Sequence, residues 1–201
     1  MSNKHAYIFG NGGHSRVIAS ELKQDLTFIV PTALSQNEIS EQCFFKSIDE
    51  KKKHDIYIAI GQNDIRCKIF NKLKKLDVKI STFVSSNAYI NPDAFIAEGA
   101  VLCSGSVIGA NAKIGTNTIV NTLSSVDHDC FLGNHSQITA GVTIGGSVTI
   151  GENCFFGTKA AVLPNLTIGN NVNIMAGSIV TKSFEAGVLI GGNPAKIIKS
   201  L

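Results

Sequence analysis

The stretch SSVDHDCFLG, residues 124–133, sets His128 between Asp127 and Asp129 in a region otherwise small and apolar. An imidazole has its ordinary pKa near neutrality, so it can take a proton from an attacking amine or hydroxyl and give it back. A neighbouring carboxylate would fix its tautomer and favour the imidazolium that forms. The bland alternative is a corner histidine merely paired to acids. A second stretch with chemical potential is GNGGHS, residues 10–15, where Gly10, Gly12 and Ser15 approximate a glycine-rich phosphate loop. Backbone N–H groups and a helix N-terminus would converge there, with Gly13 and His14 facing a phosphate. No acidic residue stands at the end of the following strand, where IVPTALSQ runs, so a full dinucleotide site is not expected.

Other chemistries find little support. Histidine ligands for zinc would have to converge, yet His128 and His135 are seven apart and no third histidine follows them. The five cysteines, Cys43, Cys67, Cys103, Cys130 and Cys154, show no CxxC spacing, which fits a reducing compartment. A net charge of +3 is too small for a nucleic-acid surface, and Lys51, Lys52 and Lys53 read as a solvated loop. No segment approaches the roughly 18 apolar residues of a membrane span, and no secretory leader is evident, so a cytoplasmic protein is expected.

What positions His128 is a repeat. From Val84 to Val180 every sixth residue is apolar, seventeen positions without an insertion. The residue four later is small or of modest size, and glycine recurs directly after the apolar residue, as at Gly109, Gly133 and Gly151. A period of six fits a short strand and a sharp corner, with offsets 0 and 4 pointing inward. Three hexads make a rung of 18 residues, giving a three-sided parallel β-helix roughly 27 Å tall at about 4.8 Å per rung. His128 is third in its hexad, at a corner, so its ring should project outward.

The first 83 residues read as a Rossmann-like βαβαβ unit. AYIFG and TFIV are strands flanking a helix from Ser15 to Lys23, with Val17, Ile18 and Leu22 on one side. DIYIAIG is a buried strand, and Asn63 to Leu76 a helix with Ile65, Ile69, Phe70 and Leu73 at helical spacing. KISTFV is a last strand leading into the coil. Domains of 1–83 and 84–201 are expected. The apolar Ile197, Ile198 and Leu201 of the tail should cover or flank the coil's end.

YIFGNGGHSRVI, AIGQNDIR, NTLSSVDHDC and GGNPAKII, in that order, resemble the hexapeptide-repeat sugar acetyltransferases typified by bacterial UDP-N-acetylbacillosamine N-acetyltransferase and the sialic acid O-acetyltransferases. The resemblance implies a left-handed coil holding acetyl-CoA, a front domain holding a nucleotide-linked amino sugar, and a homotrimer with its site between neighbouring coils. It implies His128 as general base with Asp129, rather than Asp127, as its carboxylate. Gly12, Gly13, His14, Gly61 and Asn121 are then the substrate positions. Gly146, Thr158 and Ala176 would meet acetyl-CoA, and Lys182 and Lys196 its phosphates. The family's second histidine, nine residues after the base, falls on Gln137, which can donate a hydrogen bond but not shuttle a proton; His135 is a possible substitute. The implied reaction is N-acetylation of the 4-amino group of a UDP-linked deoxysugar, with O-acetylation of sialic acid or a relative as the alternative. A trimeric scaffold with a sensor domain is the non-enzymatic reading.

Overall fold

A computed structural model describes residues 5–201, and the chain divides into two compact units between Phe83 and Val84. In the first unit the apolar runs form β1 (His5–Phe9), β2 (Asp25–Val30), β3 (Glu38–Ser40) and β4 (Asp55–Ile58), in the order β3-β2-β1-β4 with every pairing parallel. The helices are α1 (Gly13–Glu21), α2 (Glu41–Lys46), α3 (Ile48–Lys51) and α4 (Asn63–Lys75). Phe9, Ile29, Phe44, Ile56, Ile58, Ile69, Phe70 and Leu73 fill the core.

The simple βαβαβ expectation is too short here, since β3, α2 and α3 lie between β2 and β4. Ser40 starts α2 by accepting a hydrogen bond from the Cys43 N–H at 3.2 Å. Helix α1 begins two residues earlier than expected, buries Ser15 and Ile18, leaves Val17 exposed, and ends before Leu22. In α4 the buried stripe is Arg66, Ile69, Phe70 and Leu73, while Ile65 is exposed. Of KISTFV only Phe83–Val84 is strand. Lys51 is less free than a solvated loop, because it ends α3 with its Nζ 5.9 and 5.7 Å from the Tyr7 and Phe44 rings, whereas Lys52 and Lys53 lie in an exposed turn. Lys52 pairs with Asp49 at 2.9 Å.

The second unit is the expected parallel β-helix. Two-residue strands recur every six residues from β5 (Phe83–Val84) to β21 (Ile179–Val180). Up to Ala161–Val162 each pairs in parallel with the strand three further on, so residues 18 apart stack, as Ile119, Gln137 and Phe155 do. Three faces result, of five, six and eight strands. Leu102, Val120, Ile138, Phe156, Ile174 and Ile190 are buried inside along the eight-stranded face, each contributing about 1.5–3 kcal/mol. The repeat is looser at its start: Val84 is exposed, and Ile90 and Ile96 are only partly buried.

Between the large apolar layers sit small groups that satisfy the backbone. The Cys130 and Cys154 thiols donate to the carbonyls of Gly145 and Gly169, each at 3.1 Å, and burial pushes the Cys154 thiol up to about 11. These cysteines are interior filling and not nucleophiles. The coil's last rung is closed by Phe184, Val188, Ile190 and Ala195, all in the core, through β22 (Val188–Gly192) and the antiparallel β23 (Ala195–Ser200). Ile197, Ile198 and Leu201 are exposed instead of covering that end. Among the described residues no helix is long and apolar enough to cross a membrane.

The fourth residue of most hexads turns the corner with φ near +55 to +62°, and asparagine, which tolerates that state, holds it at Asn111, Asn117, Asn153, Asn165 and Asn171. Leu123 takes φ +55° as well, yet is 73% exposed. Leu123→Asn should therefore stabilise the protein by about 1 kcal/mol and raise Tm by about 2–4 °C in a thermal melt. An unchanged or lower Tm would mean that the leucine makes contacts worth more than its strain.

Candidate active site

His128 occupies the corner between β12 (Ser125–Val126) and β13 (Phe131–Leu132), where the six-stranded face passes to the five-stranded one. Three neighbours in the fold set its geometry. Asp127 Oδ1 accepts the His128 backbone N–H at 2.7 Å, which fixes the start of the corner. Asp129 adopts φ +57°, and its Oδ2 lies 2.8 Å from His128 Nδ1. Of the two acids, Asp129 is thus the partner of the ring, and Asp127 serves the backbone.

Close approach defines the third contact. A Cβ on Gly146, one rung further, would lie 2.5 Å from His128 Nε2, and a Cβ on Gly109, one rung earlier, 2.6 Å from the His128 backbone nitrogen. Both positions must be glycine for the histidine to sit as it does.

The ring remains accessible, its side chain 57% exposed. The hydrogen bond to Asp129, and next the charge of Asp127, raise its pKa above the ordinary 6.5. The same bond, followed by one from Asn111, holds the Asp129 carboxyl below its ordinary value. With a carboxylate at Nδ1, the neutral ring carries its proton there and presents the Nε2 lone pair. Replacing Asp129 by asparagine removes the main cause of the shift, so the His128 titration followed by NMR should move down towards 6.5. A titration that stays put would assign the shift to Asp127 instead.

The remaining positions fall on distinct parts of the coil. Gly146 and Lys182 follow His128 at multiples of 18 residues and share its corner, which puts Lys182 three rungs, roughly 14 Å, along the column. The Lys182 Nζ is 5.6 Å from the Phe184 ring. Asn121, Thr158 and Ala176 lie on the next corner, between the eight- and six-stranded faces. Asn121 Oδ1 accepts from the Thr122 N–H at 2.7 Å. Gln137 lies on the eight-stranded face, only 8% exposed and with its Oε1 unbonded. Within one chain it is not brought to His128. His135 Nδ1 lies 2.8 Å from Asn117 Nδ2, in a stack of corner residues that continues with Asn153 and Asn171. Lys196 is exposed on β23.

In the front unit, exposed Gly12 and Gly13 open α1 with no side-chain cap. Burial, and secondarily the Arg66 charge, depress His14 to about 4, so it is neutral near pH 7, and its buried Nε2 has no hydrogen-bond partner. Two residues that the sequence reading did not single out shape this loop. Arg66, wholly buried, donates to the carbonyls of Ile60 and Gly61 at 3.0 and 3.1 Å and to Asn63 Oδ1 at 2.8 Å. Its signal was its place on the 66/69/70/73 stripe of a helix. Glu38 supplies a carboxylate that IVPTALSQ lacks: it accepts the Leu34 and Ser35 N–H groups at 2.7 and 3.1 Å and the Asn11 side-chain amide at 2.5 Å. The backbone bond from Leu34 and the Asn11 amide hold its pKa down. Among the described residues no group of three or more His, Cys, Asp or Glu is arranged to hold a metal ion.

Residues 147–182 match the bacterial transferase hexapeptide (six repeats) family, and residues 5–73 the PglD N-terminal domain. The acetyltransferase domain of PglB from Neisseria gonorrhoeae FA1090 is 30% identical, over 98% of this chain and 100% of that one, with a TM-score of 0.91. A second structure of that domain, 29% identical with the same coverage and TM-score, is in complex with acetyl coenzyme A. A histidine-to-asparagine variant of perosamine N-acetyltransferase from Caulobacter crescentus, in complex with CoA and GDP-perosamine, is 28% identical over 98% of this chain and 97% of that one, with a TM-score of 0.91. No curated protein matches the sequence significantly. The coil is that of a hexapeptide-repeat transferase. With the front domain matched as well, the chain belongs to the hexapeptide-repeat sugar acetyltransferases and is an acetyltransferase.

Proposed function

We propose that the protein transfers the acetyl group of acetyl-CoA to the 4-amino group of a nucleotide-linked amino-deoxysugar, with His128 as general base. The observation that carries this reading is the His128–Asp129 pair at 2.8 Å on an exposed corner, with Nε2 left for a substrate proton. As the amine nitrogen bonds to the thioester carbonyl carbon and the C–S bond breaks, Nε2 takes the proton the nitrogen loses and returns it to the departing sulfur. Asp129 keeps the ring in the useful tautomer and offsets its transient charge.

The front unit is the nucleotide-sugar domain in this reading. The N–H groups at Gly12 and Gly13 and the unbonded Nε2 of His14 are its candidate phosphate contacts, with the Gly61 loop held beside them by Arg66. UDP is the nucleotide we place first, and the GDP-linked sugar of the perosamine relative makes GDP the main competitor. Two corners of the coil carry the expected cofactor and substrate positions, His128, Gly146 and Lys182 on one and Asn121, Thr158 and Ala176 on the other. A closed trimer would set one such corner against its neighbour's other corner and cover exposed Val107 and Phe131. Light scattering should accordingly give three times the 21.3 kDa chain mass.

The reading is tested by offering acetyl-CoA with UDP-, dTDP- and GDP-linked 4-amino sugars and with sialic acid, following free thiol. Thiol release with one of the nucleotide amino sugars is expected. Release with sialic acid alone would replace N- by O-acetylation.

A further inference from the structure

The Asp129 carboxylate is held at both ends. Its Oδ2 meets the ring at 2.8 Å, and its Oδ1 accepts a hydrogen bond from Asn111 Nδ2 at 3.2 Å. Asn111 is 18 residues earlier, one rung away on the same corner, and is itself fixed at φ +58°. A carboxylate bound only to the imidazole could rotate about its own Cβ–Cγ bond and carry the ring with it. A second anchor on a rigid rung stops that rotation. From the opposite rung the Ser147 N–H holds the His128 carbonyl at 2.9 Å, so the ring, its carboxylate and its backbone are tied to three successive turns of the coil.

We propose that Asn111 is a positioning residue for the imidazole, acting through Asp129 to keep Nε2 aimed at the substrate proton. The inference rests on the reading of His128 as the base. The charged groups that face the ring are Asp127 and Asp129; Asn111, Gly146 and Ser147, which the adjoining rungs contribute, are uncharged.

Two variants separate positioning from mere corner structure, because glycine and aspartate both accept a left-handed φ. Asn111→Gly deletes the anchor, and Asn111→Asp keeps the shape while replacing the donor by a third carboxylate. Both should lower kcat by about 3- to 10-fold with the acetyl-CoA KM little changed. Followed by NMR, the His128 pKa should move in opposite directions. In Asn111→Gly it falls towards 6.5, because the freed carboxylate spends less time on Nδ1, and in Asn111→Asp it rises, because negative charge favours the imidazolium.

Wild-type kcat in both variants, or any pattern of His128 titration other than opposite displacements, overturns the proposal; a lowered Tm with an unmoved titration is such a pattern. The parent reading fails separately. If His128→Ala turns over at full rate the base assignment is lost, whereas a slow His128→Ala beside wild-type Asn111 variants removes only the role given to Asn111.

Discussion

His128→Ala is expected to lower kcat about 10²- to 10³-fold, the range that positioned acid–base groups supply, while leaving Tm within about 2 °C of the wild type. The second half follows from exposure. The ring lies outside the coil, with its side chain 57% exposed and one bond to an equally open carboxylate, and surface truncations of this kind usually fall within about 0.5 kcal/mol. Acetyl-CoA binding should persist if the cofactor lies, as proposed, along the corner that carries Gly146 and Lys182, since neither is touched. Steady-state thiol release with a saturating nucleotide amino sugar, alongside a thermal melt, checks both halves. A loss of rate accompanied by a large fall in Tm would point to structure instead of catalysis.

Gly146→Ala should produce the second largest loss, about 10- to 100-fold in kcat, from a single methyl group on a neighbouring rung. Its Cβ would lie 2.5 Å from Nε2 and 2.6 Å from Cε1, distances that non-bonded carbon does not adopt. The backbone there is locked in the coil, with Asn165 N–H bonded to the Gly146 carbonyl at 3.0 Å. The imidazole, on the solvent side, therefore has to move, and displacing a base by about 1 Å can lose two orders of magnitude. The family resemblance implied instead that Gly146 meets acetyl-CoA. Kinetics separate the two roles: a fallen kcat with a modest change in the acetyl-CoA KM supports the seat for the ring, and a raised KM with kcat intact supports the cofactor contact.

Much of this was legible because the coil is periodic. A strict step of six fixes which side chain points inward and which corner carries His128, so the exposed imidazole follows from residue numbers, whereas the choice of Asp129 over Asp127 as its partner came from the family resemblance and is seen in the 2.8 Å contact. The stacking of His128 on Gly146, eighteen residues on, was equally open to inspection once rungs were counted. Where periodicity stops, so did the reading. Phe184 closes the coil in place of Ile197, Ile198 and Leu201, since the tail turns back as β22 and β23 and presents that side of β23 to solvent. Arg66 looks like a surface residue by type, and only its partners, two carbonyls and Asn63, make its burial tolerable. Glu38 reaches the glycine loop because β3 lies parallel beside β2, a pairing between segments that no local pattern announces.

The central claim is that the His128 imidazole is the group whose proton is exchanged during acetyl transfer. It is tested most directly by measuring two titrations on one protein: the His128 ring by NMR, and kcat/KM against pH for acetyl transfer. Because a base works only when neutral and Asp129 and Asp127 favour its protonated form, kcat/KM should rise with pH through a pKa above 6.5 that coincides with that of the ring. A profile whose acid limb lies a unit or more away from the His128 titration, or that survives unchanged in His128→Ala, would contradict it.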